Sequence, residues 1–468
     1  MTLVNRQGPD DACLSATQGL CNTCGKLVDA KTVDRDGRIV LVKWCPEHGL
    51  TEGLVSSDRA WTTRSAGYLK PGTEPLRKAV DHHVACPDQC GLCPQHQQHT
   101  CVPLLEITSA CDMACPICLV TDRVKPALSV SEVDRIVEAL LEAEGKVNML
   151  TLTGGEPTQH PDFLAIVKRC LRPAIGIVSV STNGLWIEKD EALLLALRDL
   201  GVVISLQVDG FSPAANLALR GQPELGDRKR RIIDRILAAG ARLSLTFTLA
   251  KDTNEGDLPA VLDLLFQEEN ILSLMVQPLA CMGKRPASDL DRLTIPDAVS
   301  LLAGSSKGVL KEADFTPLPC SHPTCFALTY LLRLKDGGFV TMPSLLDAET
   351  YLDLIKNQAL MATDPDSLSR MRDALYTLWS SDGIMPQRET LLRTLRALIL
   401  DMAPDRETQT HREVLELGTR HIKSIFIHHF MDRSNFDLSR VVKCCNHYPR
   451  IDGRLQPACV RNNLGWRE

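Results

Sequence analysis

Residues 107–122 read ITSACDMACPICLVTD, and Cys111, Cys115 and Cys118 stand in this stretch with gaps of three and two residues. The run before them, VPLLEIT, reads as a strand, so the cysteines begin where a strand ends. Four thiolates would close a tetrahedral zinc site or fill every corner of an iron–sulfur cube. Three leave a position open. On a [4Fe–4S] cube that position is an iron without a protein ligand, free to accept a chelating small molecule. The alternative at this spacing is zinc completed by a distant histidine.

The texture downstream supports a strand-end loop. LSVSEVDRIVEALLEAEG at 128–145 has helical periodicity, with Ser131 the expected N-cap beside Glu132. KVNMLTLT at 146–153 reads as a strand, and PDFLAIVKRCL at 161–171 as a helix with Pro161 in its first turn. IGIVSVST, GVVISLQVDG, ARLSLTFTLA and NILSLMVQPL follow as strands separated by helical segments. Six strands alternating with helices imply right-handed crossovers and a parallel sheet. Six units fall short of the eight in a complete barrel, though the C-terminal region could add strands.

Loops at the C-terminal ends of parallel strands collect chemistry, because they vary above a rigid sheet. GGEP, residues Gly154, Gly155, Glu156 and Pro157, ends the second strand. Its glycines let backbone approach a ligand closely, and Glu156 offers a carboxylate to an ammonium group. Ser181, Thr182 and Asn183 close the third strand; Ser205, Gln207 and Asp209 close the fourth and should share a face. Gln277 ends the sixth. Asp209 before Gly210 reads equally as a turn cap.

Eighteen cysteines are too many for casual use, and without a secretory signal they point to metal or iron–sulfur ligation rather than disulfides. Cys86, Cys90, Cys93 and Cys101 can close a complete cube, with zinc as the alternative. Cys21, Cys24 and Cys45 suit a mononuclear zinc or iron site completed by His48 or Cys13. Cys320, Cys325, Cys445 and Cys459 make a third set, with Cys444 the rival of Cys445. Cys170, in FLAIVKRCL, reads as a small buried hydrophobe.

The CxxxCxxC motif and GGEP together resemble the radical S-adenosylmethionine enzymes. That resemblance implies an α/β fold, a partial (β/α)6 TIM-like barrel over 102–289. It implies a [4Fe–4S] cluster on Cys111, Cys115 and Cys118, and S-adenosyl-L-methionine whose amine meets GGEP. The region of Ser181, Asn183, Ser205, Gln207 and Asp209 would then touch the methionine carboxylate and the ribose hydroxyls, with Gln277 nearby. CPDQCGLCPQHQQHTC, TLTGGEPTQHPDF, LPCSHPTC and IFIHHFMDRSNFDLSRVVKCCNHYP carry the likeness further, to the group that includes the archaeal tetraether lipid synthase and pterin-methylating proteins. Members of that group imply two auxiliary [4Fe–4S] clusters, a mononuclear Fe or Zn, and an electron donor such as flavodoxin or ferredoxin.

Residues 1–101 are then a cysteine-rich metal-binding region, and 290–468 a helical region with a C-terminal auxiliary-cluster domain. The helical stretch 290–410 reads as packing or as a cover over the site. Carbon–carbon bond formation on a lipid or hydrocarbon chain is the first expectation; methylation of a pterin or other small heterocycle is the second. A non-catalytic iron–sulfur carrier is the reading from another class, and an open iron beside GGEP argues against it. The net charge of −6 gives no case for nucleic acid. RKRR at 228–231 reads as a solvated helix start or a phosphate patch. The N-terminus MTLVNRQGPDDACLS lacks the features of a signal peptide, and no apolar run spans a bilayer. A cytoplasmic enzyme is expected, with peripheral contact at the inner membrane face open to it.

Overall fold

The structure, a computed structural model, describes residues 12–80, 86–87, 90–119, 127–282, 290–357, 373, 376–377, 379–380, 388–401 and 421–465. Residues 402–410 and most of 358–387, within the helical stretch expected over 290–410, lie outside them. No described helix is long and apolar enough to cross a membrane.

The chain opens with a small antiparallel sheet: β1 (Ala12–Leu20), β2 (Leu27–Arg35), β3 (Arg38–Cys45) and β4 (Gly49–Ser56), in that order. Asp36 and Gly37 join β2 to β3 with φ of 51° and 76°, the double positive φ that matches a two-residue hairpin to strand twist.

Six parallel strands follow in sequence order: β5 (Val102–Thr108), β6 (Val147–Gly154), β7 (Ile175–Thr182), β8 (Val203–Gln207), β9 (Arg242–Leu249) and β10 (Ile271–Pro278). The last third of the chain then extends this sheet at both edges. It contributes β11 (Phe326–Arg333), β12 (Phe339–Thr341), β13 (Ile422–His428), β14 (Asn446–Pro449) and β15 (Leu455–Pro457). β13 lies parallel to β10 and carries β11 and β12 antiparallel beyond it. On the other edge β14 pairs parallel with β5 and antiparallel with β15. Among the described residues the sheet therefore has eleven strands, and the helical expectation for 290–410 needs correcting at β11 and β12. FALTYLLR is buried at seven of its eight positions, and a run buried on both faces shows neither helical nor strand period. The N-cap of the helix Val130–Glu144 also moves: Ser129, not Ser131, closes a reciprocal capping box with Glu132.

Period-two alternation divides the strands of the large sheet into two faces. Leu150, Leu152, Val178, Val180, Ile204, Leu206, Leu245 and Val276 pack in the main apolar core under the helices. The other face carries small hydroxyls: Thr151 and Thr153, Ser179 and Ser181, Ser205, Ser244 and Thr246, Ser273 and Ser424. Complete barrels fill this interior with bulky branched side chains. Here those hydroxyl residues share the face with Met149, Ile177, Val203 and Met275, and the sheet curls around a hollow.

The N-terminal sheet packs against the loop after β13. A Cβ on Gly53 would lie 2.1 Å from the Ser434 carbonyl oxygen, and one on Gly19 2.7 Å from that of Phe436. Lys43, 1% exposed, donates to the Leu20 carbonyl, to Asn22 Oδ1 and to the Arg433 carbonyl. Gly53→Ala should therefore lower stability by about 1–3 kcal/mol through overpacking. Anaerobic denaturant unfolding would show it as a lower midpoint, with the small sheet becoming the first site of proteolysis.

Candidate functional site

The C-terminal ends of β5, β6 and β7 meet through backbone contact. Gly154 has φ of 141°; a Cβ there would lie 2.1 Å from the Thr108 oxygen, and one on Gly155 2.2 Å from that of Ala110. The Gly155 N–H donates to Thr108 O at 2.8 Å and the Glu156 N–H to Ala110 O at 2.7 Å. The glycines thus seat the GGEP turn directly on the start of the cysteine loop.

Glu156 is 1% exposed, and its carboxylate is already engaged by the protein. Oε1 accepts from the Thr158 N–H, Thr158 Oγ1 and Thr182 Oγ1, and Oε2 from the Asn183 N–H at 2.7 Å. Burial raises its pKa while these donors pull it down. Read from sequence as a partner for an ammonium, Glu156 is in the structure a buckle between the ends of β6 and β7. Pro157 starts the short 3-10 turn that carries Thr158. Asn183 continues the tie, donating from Nδ2 to Asp112 Oδ1 in the cysteine loop at 2.7 Å.

Cys111, Cys115 and Cys118 lie on this loop, Cys115 buried and the other two half-buried. Burial, with Glu156 and Asp112 nearby, pushes the Cys111 thiol up to about 11. Three thiols on one exposed-edge loop fit a cube whose fourth corner takes something other than cysteine.

Two cations stand beside the loop: Arg220, which sequence reasoning did not single out, and Lys229, read there only as part of RKRR. Lys229, fully buried, donates to the Asn183 carbonyl at 2.6 Å and to Gln207 Oε1 at 3.2 Å. Gln207 Nε2 donates to Asp209 Oδ2 at 2.6 Å, and Arg220 pairs with the same carboxylate. Asp209 Oδ1 accepts from the Thr248 N–H, so this residue is a buried hub more than a turn cap. Burial disfavours the Arg220 charge, but Asp209 and Cys115 beside it hold its pKa above the ordinary value. Burial, aided by Arg220, brings Lys229 down to about 7. RKRR is therefore a mixed segment: Arg228 and Arg231 pair outside with Glu188, while Lys229 points in. The signal was present, because Leu225, Lys229, Ile232 and Ile236 share one helical face.

Below these ties lies the hollow, a cavity of about 300 Å³. Ser181, Ser205 and Gln277 line it, whereas Asn183, Gln207 and Asp209 belong to the network beside it. One wall is the hydroxyl rows, paired across neighbouring strands: Thr151 with Ser179 at 2.8 Å, Ser205 with Thr246 at 3.3 Å, and Ser244 with Ser273. The opposite wall, from β11, β13 and β14, is aromatic: Phe326, Tyr330, Phe426, His428 and Tyr448. Leu119 of the cysteine loop closes one end, and Cys101 and Cys445 face it elsewhere. No ionised side chain lines it among the described residues.

The remaining cysteines gather differently from their sequence grouping. Cys21, Cys24, Cys45 and His48 place their ligand atoms within 4.8 Å of one another. A tetrahedral centre with metal–sulfur bonds of about 2.3 Å needs thiolates roughly 3.8 Å apart, so this group fits one ion. Burial raises Cys21, but the Cys24 and Thr23 backbone N–H groups outweigh it and bring the thiol to about 7. Cys13, the other candidate ligand, is exposed on β1. Cys101 interacts with Cys320 and Cys445, not with the 86–93 cysteines, and shares an apolar cluster with Cys325. Cys90 instead neighbours Cys86, Cys93 and Cys444, and packs in one cluster with Cys459. Cys459 lines one small pocket with Cys325, Cys444 and Arg440, so Cys101 leaves its sequence neighbours and the C-terminal set is divided. Arg440 Nε donates to Cys325 Sγ at 3.4 Å, while its Nη1 and both ring nitrogens of His429 are buried without a partner among the described residues. Such orphaned donors beside thiols fit an anionic cluster. Cys170 is buried in the core, as its apolar setting implied.

Residues 105–265 match the radical SAM superfamily. The barrel is a radical SAM domain. Residues 13–57 match an HMPTM N-terminal zinc ribbon domain. Over 494 aligned residues the chain is 26% identical to the 7,8-dihydro-6-hydroxymethylpterin dimethyltransferase of Methanocaldococcus jannaschii, covering 97% of this chain and 94% of that one. It is 33% identical over 167 residues to the GTP 3',8-cyclase of Yersinia pestis, a match spanning 34% of this chain and about half, 49%, of the cyclase. Among solved structures, Streptococcus suis SuiB bound to its precursor peptide SuiA matches with a TM-score of 0.38 and 16% identity, over 46% of this chain and 47% of that one. A radical SAM domain implies S-adenosylmethionine and a [4Fe–4S] cluster, and the ribbon implies a further metal.

The buried lysine has a signature in stability. Its folded pKa lies below the unfolded value of 10.5, so between about 7 and 10 the unfolded chain holds more protons and stability rises with pH. Below about 7 the charge is present in both states and its burial penalty is complete. Lys229→Met should flatten that rise, read as the pH dependence of the unfolding midpoint beside wild type.

Proposed function

We propose that this protein is a radical S-adenosylmethionine C-methyltransferase acting on a dihydropterin or a closely similar small heterocycle. The cavity carries the proposal. A flat, neutral, polar ring presents an edge of donors and acceptors and two apolar faces, which complement a hydroxyl wall opposite an aromatic wall. A volume of about 300 Å³ suits such a molecule and is small for a long hydrocarbon chain. The full-length relative named for pterin dimethylation supports the same choice. Lipid coupling, the first expectation from sequence, and with it lipid synthesis, has no such support.

Cys111, Cys115 and Cys118 would hold the radical SAM cluster. When bound, cluster and S-adenosylmethionine together supply a 5'-deoxyadenosyl radical that removes hydrogen from an unactivated C–H bond. The chain's own residues do the rest. Gly154 and Gly155 keep the turn low against the loop, leaving room for a ligand above it. Glu156 and Asn183 hold that geometry rigid, and Arg220 and Lys229 would bring basic side chains beside the cysteine loop. The edge strands cover the open side of the cavity. Cys21, Cys24, Cys45 and His48 would hold one zinc or iron ion, and the two remaining cysteine groups auxiliary clusters that pass electrons from a flavodoxin or ferredoxin.

Two experiments test this. Anaerobically reconstituted protein, given reductant, S-adenosylmethionine and 7,8-dihydro-6-hydroxymethylpterin, should yield 5'-deoxyadenosine and a methylated pterin by mass spectrometry. Cys115→Ala should reduce both at least 100-fold; an unmodified pterin beside continuing 5'-deoxyadenosine release would reject the substrate. Metal analysis should give about thirteen metals per chain, from three cubes and one ion. Cys45→Ser should remove one of them, and fully loaded protein with only four irons would reject the auxiliary clusters.

A further inference from the structure

Among the described residues three arginines are buried, and two of them meet a carboxylate. Arg292 pairs with Asp432 at 2.7 Å, and Arg461 with Glu106 at 3.1 Å. Arg440, with none of its surface exposed, meets sulfur instead. Its Nε donates to Cys325 Sγ at 3.4 Å. Its Nη2 donates to the Thr324 carbonyl at 3.0 Å and to the His429 carbonyl at 2.9 Å. Nη1 is buried and finds no partner among the described residues. Asp437 acts on the guanidinium only from beyond ion-pair distance, and its Oδ1 already takes Thr17 Oγ1 and the Ser439 N–H.

The guanidinium lines a small pocket together with Cys325, Cys444 and Cys459. In that pocket the Met431 N–H donates to Cys459 Sγ at 3.3 Å. Phe326 and His428 border both this pocket and the large cavity, so the two spaces share a wall of rings. A guanidinium shut away from water is costly unless an anion answers it. Neutral thiols do not supply one. Thiolates on an iron–sulfur cluster do, and hydrogen bonds and charges around the sulfurs are what set a cluster's potential. Each added electron makes the cluster more negative, so a fixed cation beside it favours the reduced form.

We infer that Arg440 sets the potential of the auxiliary cluster that Cys325 ligates, its buried charge making that cluster easier to reduce. The step is the gain of one electron by the cluster from the external flavodoxin or ferredoxin, with no bond made or broken. Arg440 is a positioning residue that acts through the Cys325 thiolate. Electrons then collect behind the ring wall, next to the large cavity. This inference rests on the auxiliary clusters of the proposed function and is independent of the pterin.

Potentiometric titration of the anaerobically reconstituted full-length protein, followed by EPR, tests it. The radical SAM cluster is recognised by the change of its signal when S-adenosylmethionine is added. Arg440→Gln should make one auxiliary signal about tenfold harder to reduce at fixed potential, a downward shift of about 59 mV for one electron. The S-adenosylmethionine-sensitive signal should keep its midpoint. Arg440→Lys retains the charge without the guanidinium's fork, and should stay within about threefold of wild type. An unchanged midpoint in Arg440→Gln would overturn the inference, as would a Lys variant shifted as far as the Gln variant. Iron and sulfide analysis covers the case in which Arg440→Gln fails to assemble a cluster. Full loading of Arg440→Lys would then support the charge as the cause, and loss from both variants would overturn it. Wild-type protein whose every cluster signal responds to S-adenosylmethionine would overturn the auxiliary clusters themselves, and this inference with them.

Discussion

Everything at the top of the barrel depends on a carboxylate that never reaches solvent. Glu156 takes donors from Thr158, Thr182 and Asn183, so one buried anion fixes the exit of β6 to the exit of β7. Asn183 passes the constraint to Asp112 in the cysteine loop and, through its carbonyl, to Lys229. A buried carboxylate without such partners would be costly, and with them it becomes a rigid joint. The two glycines before it make the joint possible by removing every atom that would hold the turn away from Thr108 and Ala110.

Below the joint, the decisive property is shortness. Serine and threonine at the inward positions of five consecutive strands satisfy one another sideways and leave the centre empty. Branched aliphatic residues there would fill the interior, as they fill a closed barrel. The open side is covered by strands from the end of the chain, which bring aromatic rings, His428 and Asn446. The cavity is accordingly asymmetric, with hydroxyls among Met149, Ile177, Val203 and Met275 on the radical SAM domain's own strands and aromatic rings on the added ones.

The small N-terminal sheet is coupled to the same segment. Gly53 and Gly19 admit the 434–436 backbone, and the buried Lys43 ammonium gathers carbonyls from both sides. That loop continues from His428 and His429 and leads to Arg440, which donates to Cys325. The ribbon, the auxiliary cysteines and the aromatic wall therefore share one continuous stretch of chain.

Local pattern was enough for the cysteine loop, the GGEP turn and the six parallel strands, because each is written in contiguous residues whose spacing has few physical solutions. The gathering of Cys21, Cys24 and Cys45 was also legible, with His48 or Cys13 as the fourth member, since a CxxC knuckle and a nearby Cys–His pair close over short loops. The strand FALTYLLR was not, because burial on both faces erases the alternation that marks a strand. Nor was the partition of the auxiliary cysteines: Cys101 meets Cys320 and Cys445 across more than two hundred residues, and equal thiols carry no label for their partners. Sequence thus determined the reactive loop and the sheet that presents it. Tertiary structure decided what surrounds it, because the curl of the sheet brings β5 and β13 around one hollow. It also turned a run of basic residues into one buried cation and three outward arginines, since only the packed helix has an inside.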